Sequence, residues 1–233
     1  PGVLPPGERS PYGKTGPSYT GTLRNHSLTI PACVSECSGI RIFGRRIKSL
    51  AFSTESIIKN INADAIIAVY PFTPQPVISQ AIISVSDVPV FVGVGGGITT
   101  GSRSVRLAIT SGTSAYGVVL NAPTPTDVIR QIKKVVDFPV VITVVSAHTD
   151  IGSRLEAGAD FLNVSGAAAT PEIVAEIRRD FPKVPIIATG GPTEESILRT
   201  IQAGANAITY TPPSTGELFS VRMHQYRAQF HPE

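Results

Sequence analysis

His148 and Asp150 stand two residues apart in "VVSAHTD", directly after a run of apolar, β-branched residues. An imidazole that titrates near neutral pH beside a carboxylate suits general acid–base work on a bound substrate. A histidine at the start of a helix also serves as no more than an exposed cap. Tyr70 and Asn121 end two other apolar runs, "DAIIAVY" and "YGVVLN". A phenol there can donate a proton or stack on a ligand, and an amide can hydrogen-bond a substrate, while packing at a core rim is the plainer role. His148, Asp150, Tyr70 and Asn121 are therefore the candidate catalytic residues.

A second chemistry is anion binding. In "VPIIATGGPTEESIL" a buried strand opens into a helix through Gly190, Gly191, Pro192 and Thr193. Backbone N–H groups without a nearby Cβ can approach a phosphate, and the helix behind them adds unpaired donors and a positive dipole end. Further on, "STGE" reads as a capping box, with Ser214 at a helix start and Glu217 reaching back. Both turns also work with no ligand, since Glu194 and Glu195 can satisfy the helix dipole. "GVGGGITTG" places Gly95, Gly96 and Gly97 in a row, where either a ligand's ring or sugar approaches closely or the chain turns sharply. Arg103 and Arg106, just beyond, could pair with a second anionic group. Asn163 and Ser165 end a further apolar strand and need partners, from substrate or from each other.

The elements that must position these residues follow a repeating grammar. Short apolar strands are expected at 47–53, 64–70, 88–94, 116–122, 139–145, 160–166, 185–190 and 207–212, each followed by a segment of helical period. The strands read as continuous Val, Ile and Ala, as parallel strands covered on both faces do. "EAGADF" and "QAGANA" each end a helix at a glycine, Gly158 and Gly204, expected to be left-handed caps. Eight such units predict an α/β fold, a (β/α)₈ TIM barrel over residues 41–233, in which chemistry belongs at the C-terminal strand ends. Residues 1–40 form an irregular N-terminal arm, rich in Pro and Gly at its start. Its "GKTG" lacks the strand and first glycine of a phosphate loop.

Composition narrows the classes. At 42% hydrophobic and 16% charged, the 233 residues can bury a large core. A net charge of +3 with no clustered basic face argues against nucleic acid but does not repel an anionic small molecule. No apolar run is long enough for a membrane span, and a cytoplasmic location is the default. Cys33 and Cys37, four apart, lack the further ligands of a zinc site. No lysine lies late in a strand, so a Schiff-base aldolase has no nucleophile, and no pair of strand-end carboxylates marks a metal site.

"RLEAGADFLNVSG … VPIIATGGPTEESILRTIQAGANAITYTP" resembles the second half of phosphate-binding TIM barrels. These include keto-deoxy-phosphogluconate aldolases, thiamine phosphate synthase, sugar-phosphate epimerases and FMN-dependent nitronate monooxygenases. The chain departs from the aldolases at their strand-six lysine, where "FLNVSG" stands, and from the monooxygenases at their "GGH", where it has "GAAAT". Over its whole length it is also similar to uncharacterised bacterial barrels sometimes labelled hydrolases. The resemblance implies the barrel and a phosphate; with the residues above, the expected function is an enzyme of lyase or epimerase type on a sugar or keto-acid phosphate, held by Gly190, Gly191 and Ser214, with no cofactor. The alternatives are an FMN-binding barrel and a ligand-binding barrel without turnover. A homo-oligomer is expected from the apolar helix faces.

Overall fold

The computed structural model of the chain describes residues 28–112 and 114–230. Most of the expected arm therefore lies outside the described residues, including "GKTG". From Leu28 the chain enters a 3₁₀ turn, Ala32–Glu36, that buries Val34 and then Cys37. Two short strands, β1 (Ile40–Ile42) and β2 (Arg45–Ile47), then pair antiparallel. Their turn, Phe43–Gly44, has positive φ at both residues, 44° and 82°, the geometry of a tight two-residue hairpin. Ile40, Ile42 and Ile47 pack into the barrel interior, and Tyr116 donates its hydroxyl proton to the Ile42 carbonyl (2.5 Å). The hairpin thus plugs the N-terminal end of the barrel, a feature the strand count over 41–233 did not contain.

The barrel itself is β3 (Ser49–Phe52), β4 (Ala65–Ala68), β5 (Val90–Gly93), β6 (Gly117–Leu120), β7 (Val140–Val144), β8 (Phe161–Val164), β9 (Ile186–Thr189) and β10 (Ala207–Tyr210). These strands close in the order β10-β3-β4-β5-β6-β7-β8-β9, every pair parallel. The connecting helices are α1 (Pro76–Val85), α2 (Ser102–Ser111), α3 (Thr126–Lys133), α4 (Ile151–Glu156), α5 (Thr170–Asp180), α6 (Glu194–Gln202) and α7 (Thr215–Phe230). The (β/α)₈ expectation holds, with one change: the connection after β3 is a 3₁₀ turn, Ser56–Lys59, because the 53–64 segment is too short for a full helix. Gly158 and Gly204 adopt φ of 108° and 114°, as the helix ends predicted.

Strand alternation splits the core in two. Ala51, Ile66, Val92, Val118, Ile142, Leu162, Ala188 and Ile208 face the helices. Leu50, Ile67, Phe91, Val119, Val141, Phe161, Ile187 and Ala207 face the barrel axis with the hairpin isoleucines beneath them. That parity decides what reaches the mouth.

Candidate active site at the barrel mouth

One step of two residues along each strand from the axial layer gives the next inward side chain, since strand residues repeat with period two. From Leu50, Ile67 and Phe91 the step leads to Phe52, Val69 and Gly93. From Val119, Val141, Phe161, Ile187 and Ala207 it leads to Asn121, Thr143, Asn163, Thr189 and Thr209. The ladder registers agree, pairing Thr143 with Asn163 and Thr189 with Thr209. The C-terminal mouth is therefore divided: apolar on β3–β5 and hydroxyl- or amide-bearing on β6–β10.

The polar half is incompletely satisfied. Asn163 Nδ2 donates to Thr143 Oγ1 (3.3 Å), and Thr189 Oγ1 donates to Ser165 Oγ (3.2 Å). Asn163 Oδ1 and Thr209 Oγ1 are buried with no partner, although Thr209 is only 5% exposed. Leaving a buried polar atom unpaired costs about 1–3 kcal/mol. Both atoms sit at inward positions of β8 and β10, and Thr124 Oγ1, behind the glycine-rich loop, is a third buried oxygen without a partner.

Two clefts open on the mouth and share Val69. One, about 190 Å³, lies between the loops after β4 and β5 and is lined by Tyr70, Phe72, Gly93, Ile98 and Asn121 among others. The other, also about 190 Å³, runs from Phe52 and Ser53 to Thr211 and Ser214. Tyr70 shapes the first: its hydroxyl oxygen accepts the Gln75 N–H (2.7 Å) at the start of α1, which suits a positioning role better than proton transfer.

The glycine-rich loop has a different cause from the one expected. A Cβ on Gly95 would lie 2.5 Å from the Thr99 carbonyl oxygen, and one on Gly96 2.5 Å from Thr124 Oγ1 and 2.8 Å from Asn121. Protein atoms, not a ligand, occupy the space that these two glycines leave. Gly96 N–H donates to the Thr99 carbonyl (2.6 Å), and Asn121 Nδ2 lies 3.4 Å from the Gly96 carbonyl oxygen. Gly97, at φ 85°, alone of the three has open space around it.

The expected phosphate cradle is also altered. Gly190 lacks a Cβ because Ile197 and Ile208 pack there, at 2.7 and 2.9 Å from where it would be, and its N–H donates to the Thr209 carbonyl (3.3 Å). Gly191 sits at φ 82°, and Thr193 with Ser196 forms a capping box at the start of α6. The start of α7 belongs to carboxylates. Ser214 donates both its N–H and its hydroxyl to Glu217 (2.7 Å each), and Thr215 donates to Glu55. Those bonds from Ser214 hold the Glu217 carboxyl below the usual carboxylate range, so the cap persists above that range and is lost as acid protonates it. Ser214 therefore has no free donor for a phosphate, and an anion there would meet Glu55 and Glu217. Of the two loops expected to grip an anion, only the one before α6 keeps an open donor.

His148 and Asp150 do not pair. The Asp150 carboxylate accepts the Ser153 N–H (3.0 Å) as cap of α4, and the His148 backbone N–H donates to Ser146 Oγ (3.2 Å). Both residues are exposed on the loop after β7. Sequence reasoning missed Thr143, Thr209, Phe52 and Val69. The signal was present in "AITYTP", where fixing Ala207 inward makes Thr209 inward too, but the continuous apolar strands hid that parity.

No protein-family model matches the sequence, and no curated protein matches it. The likeness lies in structure. 2,3-Dimethylmalate lyase, a PEP mutase/isocitrate lyase superfamily member, superposes with a TM-score of 0.59 at 11% identity, over 86% of this chain and 83% of that one. Phosphonopyruvate hydrolase in complex with oxalate and Mg2+ gives 0.59 at 16%, over 79% and 82%. A mandelate oxidase variant with an FMN monooxide adduct gives 0.53 at 15%, over 75% and 68%. At these identities the likeness establishes the barrel. The neighbours also differ from the families that the sequence resembles, since the superfamily named is that of PEP mutase and isocitrate lyase.

The expectation of no cofactor is overturned by these same neighbours, one holding Mg2+ and another FMN. The residues of this chain fit neither group in a simple way. Mg2+ is held through one or two carboxylates with water and substrate oxygens. Among the described residues no group of three or more His, Cys, Asp or Glu could hold a metal. Glu55 and Glu217 at the mouth are committed to α7. Each mouth cleft, about 190 Å³, is smaller than the roughly 300–1,000 Å³ of a cofactor-sized pocket.

Proposed function

We propose that the chain is an enzyme of lyase type, acting on a small keto acid or its phosphorylated or phosphonate relative at the barrel mouth. The observation that carries the reading is the polar half-ring on β6–β10, with Asn163 Oδ1 and Thr209 Oγ1 buried and unpaired. The Thr143 and Thr209 hydroxyls donate to a carboxylate or keto oxygen, while Thr189, whose proton goes to Ser165, and Asn163 Oδ1 accept from a substrate hydroxyl. The Gly191 amide and the first turn of α6 face a second anionic group. Ser165 lies beside Thr189 on that side, Asn121 stands across the mouth after β6, and His148, exposed on the loop after β7, is the proton carrier of this proposal. Structural neighbours that bear the names of a substituted-malate lyase and a phosphonopyruvate hydrolase support this class of substrate.

A thermal-shift series with oxalate, pyruvate, phosphoenolpyruvate and inorganic phosphate, each with and without Mg2+, tests it. At a hundredfold excess over Kd the stabilisation is about 2.7 kcal/mol, which for a chain of this size raises Tm by roughly 5–10 °C. Silence toward every acid, with and without the metal, contradicts the reading.

The proposal includes a homo-oligomer. No residue of α7 is buried, and Leu218, Phe219, Val221, Met223, Tyr226 and Phe230 are exposed along it. An apolar groove of about 500 Å³ lies beneath, lined by Leu28, Ile57, Leu218 and Phe219. Val77, Ile78 and Val85 of α1 extend the same apolar surface. A stable interface buries roughly 800 Å² per partner, and the exposed apolar residues of α7 and α1 form the surface that supplies it in this proposal. The chain carries both the apolar helix and the groove, so a second copy fits. Sedimentation should show a dimer that Phe219→Glu dissociates. A wild-type monomer at micromolar concentration contradicts it.

No helix among the described residues is long and apolar enough to cross a membrane.

A further inference from the structure

The apolar half of the mouth has no function in holding an anion, yet it is built. Phe52 and Val69 point to the axis, and Gly93 follows with no side chain. Gly93, against which the Val69 side chain packs, lines the cleft between the loops after β4 and β5 together with Val69, Tyr70, Pro71, Phe72 and Ile98. Phe72 is 76% exposed and Ile98 97% exposed. Single exposed apolar residues are ordinary. Two that flank one cleft, on loops tied together, are not scattered. Thr99 Oγ1 donates to Thr73 Oγ1 (3.1 Å) across the cleft. The Gly96–Thr99 bond closes one wall and the Tyr70–Gln75 bond the other. The cleft is thus preformed, as small-ligand sites are.

On the basis of the proposed acid-binding reading, we infer that the substrate carries an apolar side group that enters this cleft while its acid end meets β7–β10. The substrate class is a 2-oxo or 2-hydroxy acid with a branched aliphatic or aryl substituent, rather than a fully polar sugar phosphate. The volume agrees: an apolar cavity of about 150 Å³ takes benzene, and this cleft holds about 190 Å³. Val69, Pro71, Phe72 and Ile98 give the cleft an apolar wall for such a group, while on the facing wall the Asn121 amide is turned to the Gly96 carbonyl and the Thr99 hydroxyl to Thr73.

The experiment is an affinity series of 2-oxo acids by calorimetry: pyruvate, 2-oxobutanoate, 2-oxopentanoate, 4-methyl-2-oxopentanoate and phenylpyruvate, at fixed Mg2+ and without it. Each methylene buried should tighten binding about fourfold until the cleft is full. Phe72→Ala and Ile98→Ala, at exposed positions that do not support the core, should flatten that slope. Pyruvate binding with no gain along the series overturns this inference and leaves the acid-binding reading standing. A slope that both variants leave intact places the side group outside the cleft and also overturns it. Failure of every acid to bind removes the reading beneath, and the inference with it.

Discussion

Gly96→Ala is expected to lower Tm by roughly 6–12 °C, from a loss of about 3 kcal/mol, whereas Gly97→Ala costs about 1 kcal/mol. The two glycines are neighbours and both have positive φ, 107° and 85°. They differ in what a Cβ would meet. At Gly96 it would strike Thr124 Oγ1 at 2.5 Å and the Asn121 backbone nitrogen at 2.8 Å, and neither can retreat. Asn121 N–H is bonded to the Gly95 carbonyl (2.9 Å), and the 122–124 loop is clamped from α4 by Arg154, whose guanidinium donates to the Ala122 and Thr124 carbonyls. At Gly97 nothing lies within 4 Å, so only backbone strain remains. Chemical denaturation of both variants checks the contrast. Equal losses would mean that the glycines answer to backbone conformation alone, and that the loop is not packed as described.

Thr209→Val should separate stability from binding. Valine has nearly the shape of threonine without the hydroxyl, and Thr209 Oγ1 has no partner. Removing an unsatisfied buried group is neutral or stabilising, by up to about 1 kcal/mol in the free protein. With an acid bound, the same hydroxyl makes a charge-assisted hydrogen bond worth about 1.5–3 kcal/mol. The variant should therefore bind oxalate roughly 10–150-fold more weakly while unfolding no earlier than the wild type. A destabilised variant with unchanged affinity would show that Thr209 is a structural hydroxyl. Positions where binding and stability oppose each other in this way are characteristic of ligand sites.

The barrel was legible because its signals are local. Apolar runs of strand length and glycines ending helices at 158 and 204 each act within a few residues. The "STGE" segment carries reciprocal Ser214–Glu217 bonds for the same reason. What sequence could not supply is long-range. Glu55 reaches Thr215 across 160 positions and turns a prospective anion site into an acidic one. Gly96 is explained by Thr124, and Gly190 by Ile197 and Ile208, contacts that exist only once the barrel closes. The β1–β2 hairpin escaped notice because its turn places Phe43 at positive φ, where an asparagine would have announced it. The inward parity of Thr143, Asn163, Thr189 and Thr209 became fixed only through the registers of β7 to β10.

That half-ring of hydroxyls is the central claim, and threonine-methyl NMR during an oxalate titration, with and without Mg2+, tests it most directly. The account predicts saturable shifts at Thr143, Thr189 and Thr209, with Thr215, bonded to Glu55, unmoved. If none of the three mouth threonines responds while the protein stays folded, or if the changes gather at Thr215 instead, the acid does not bind where the unpaired oxygens are.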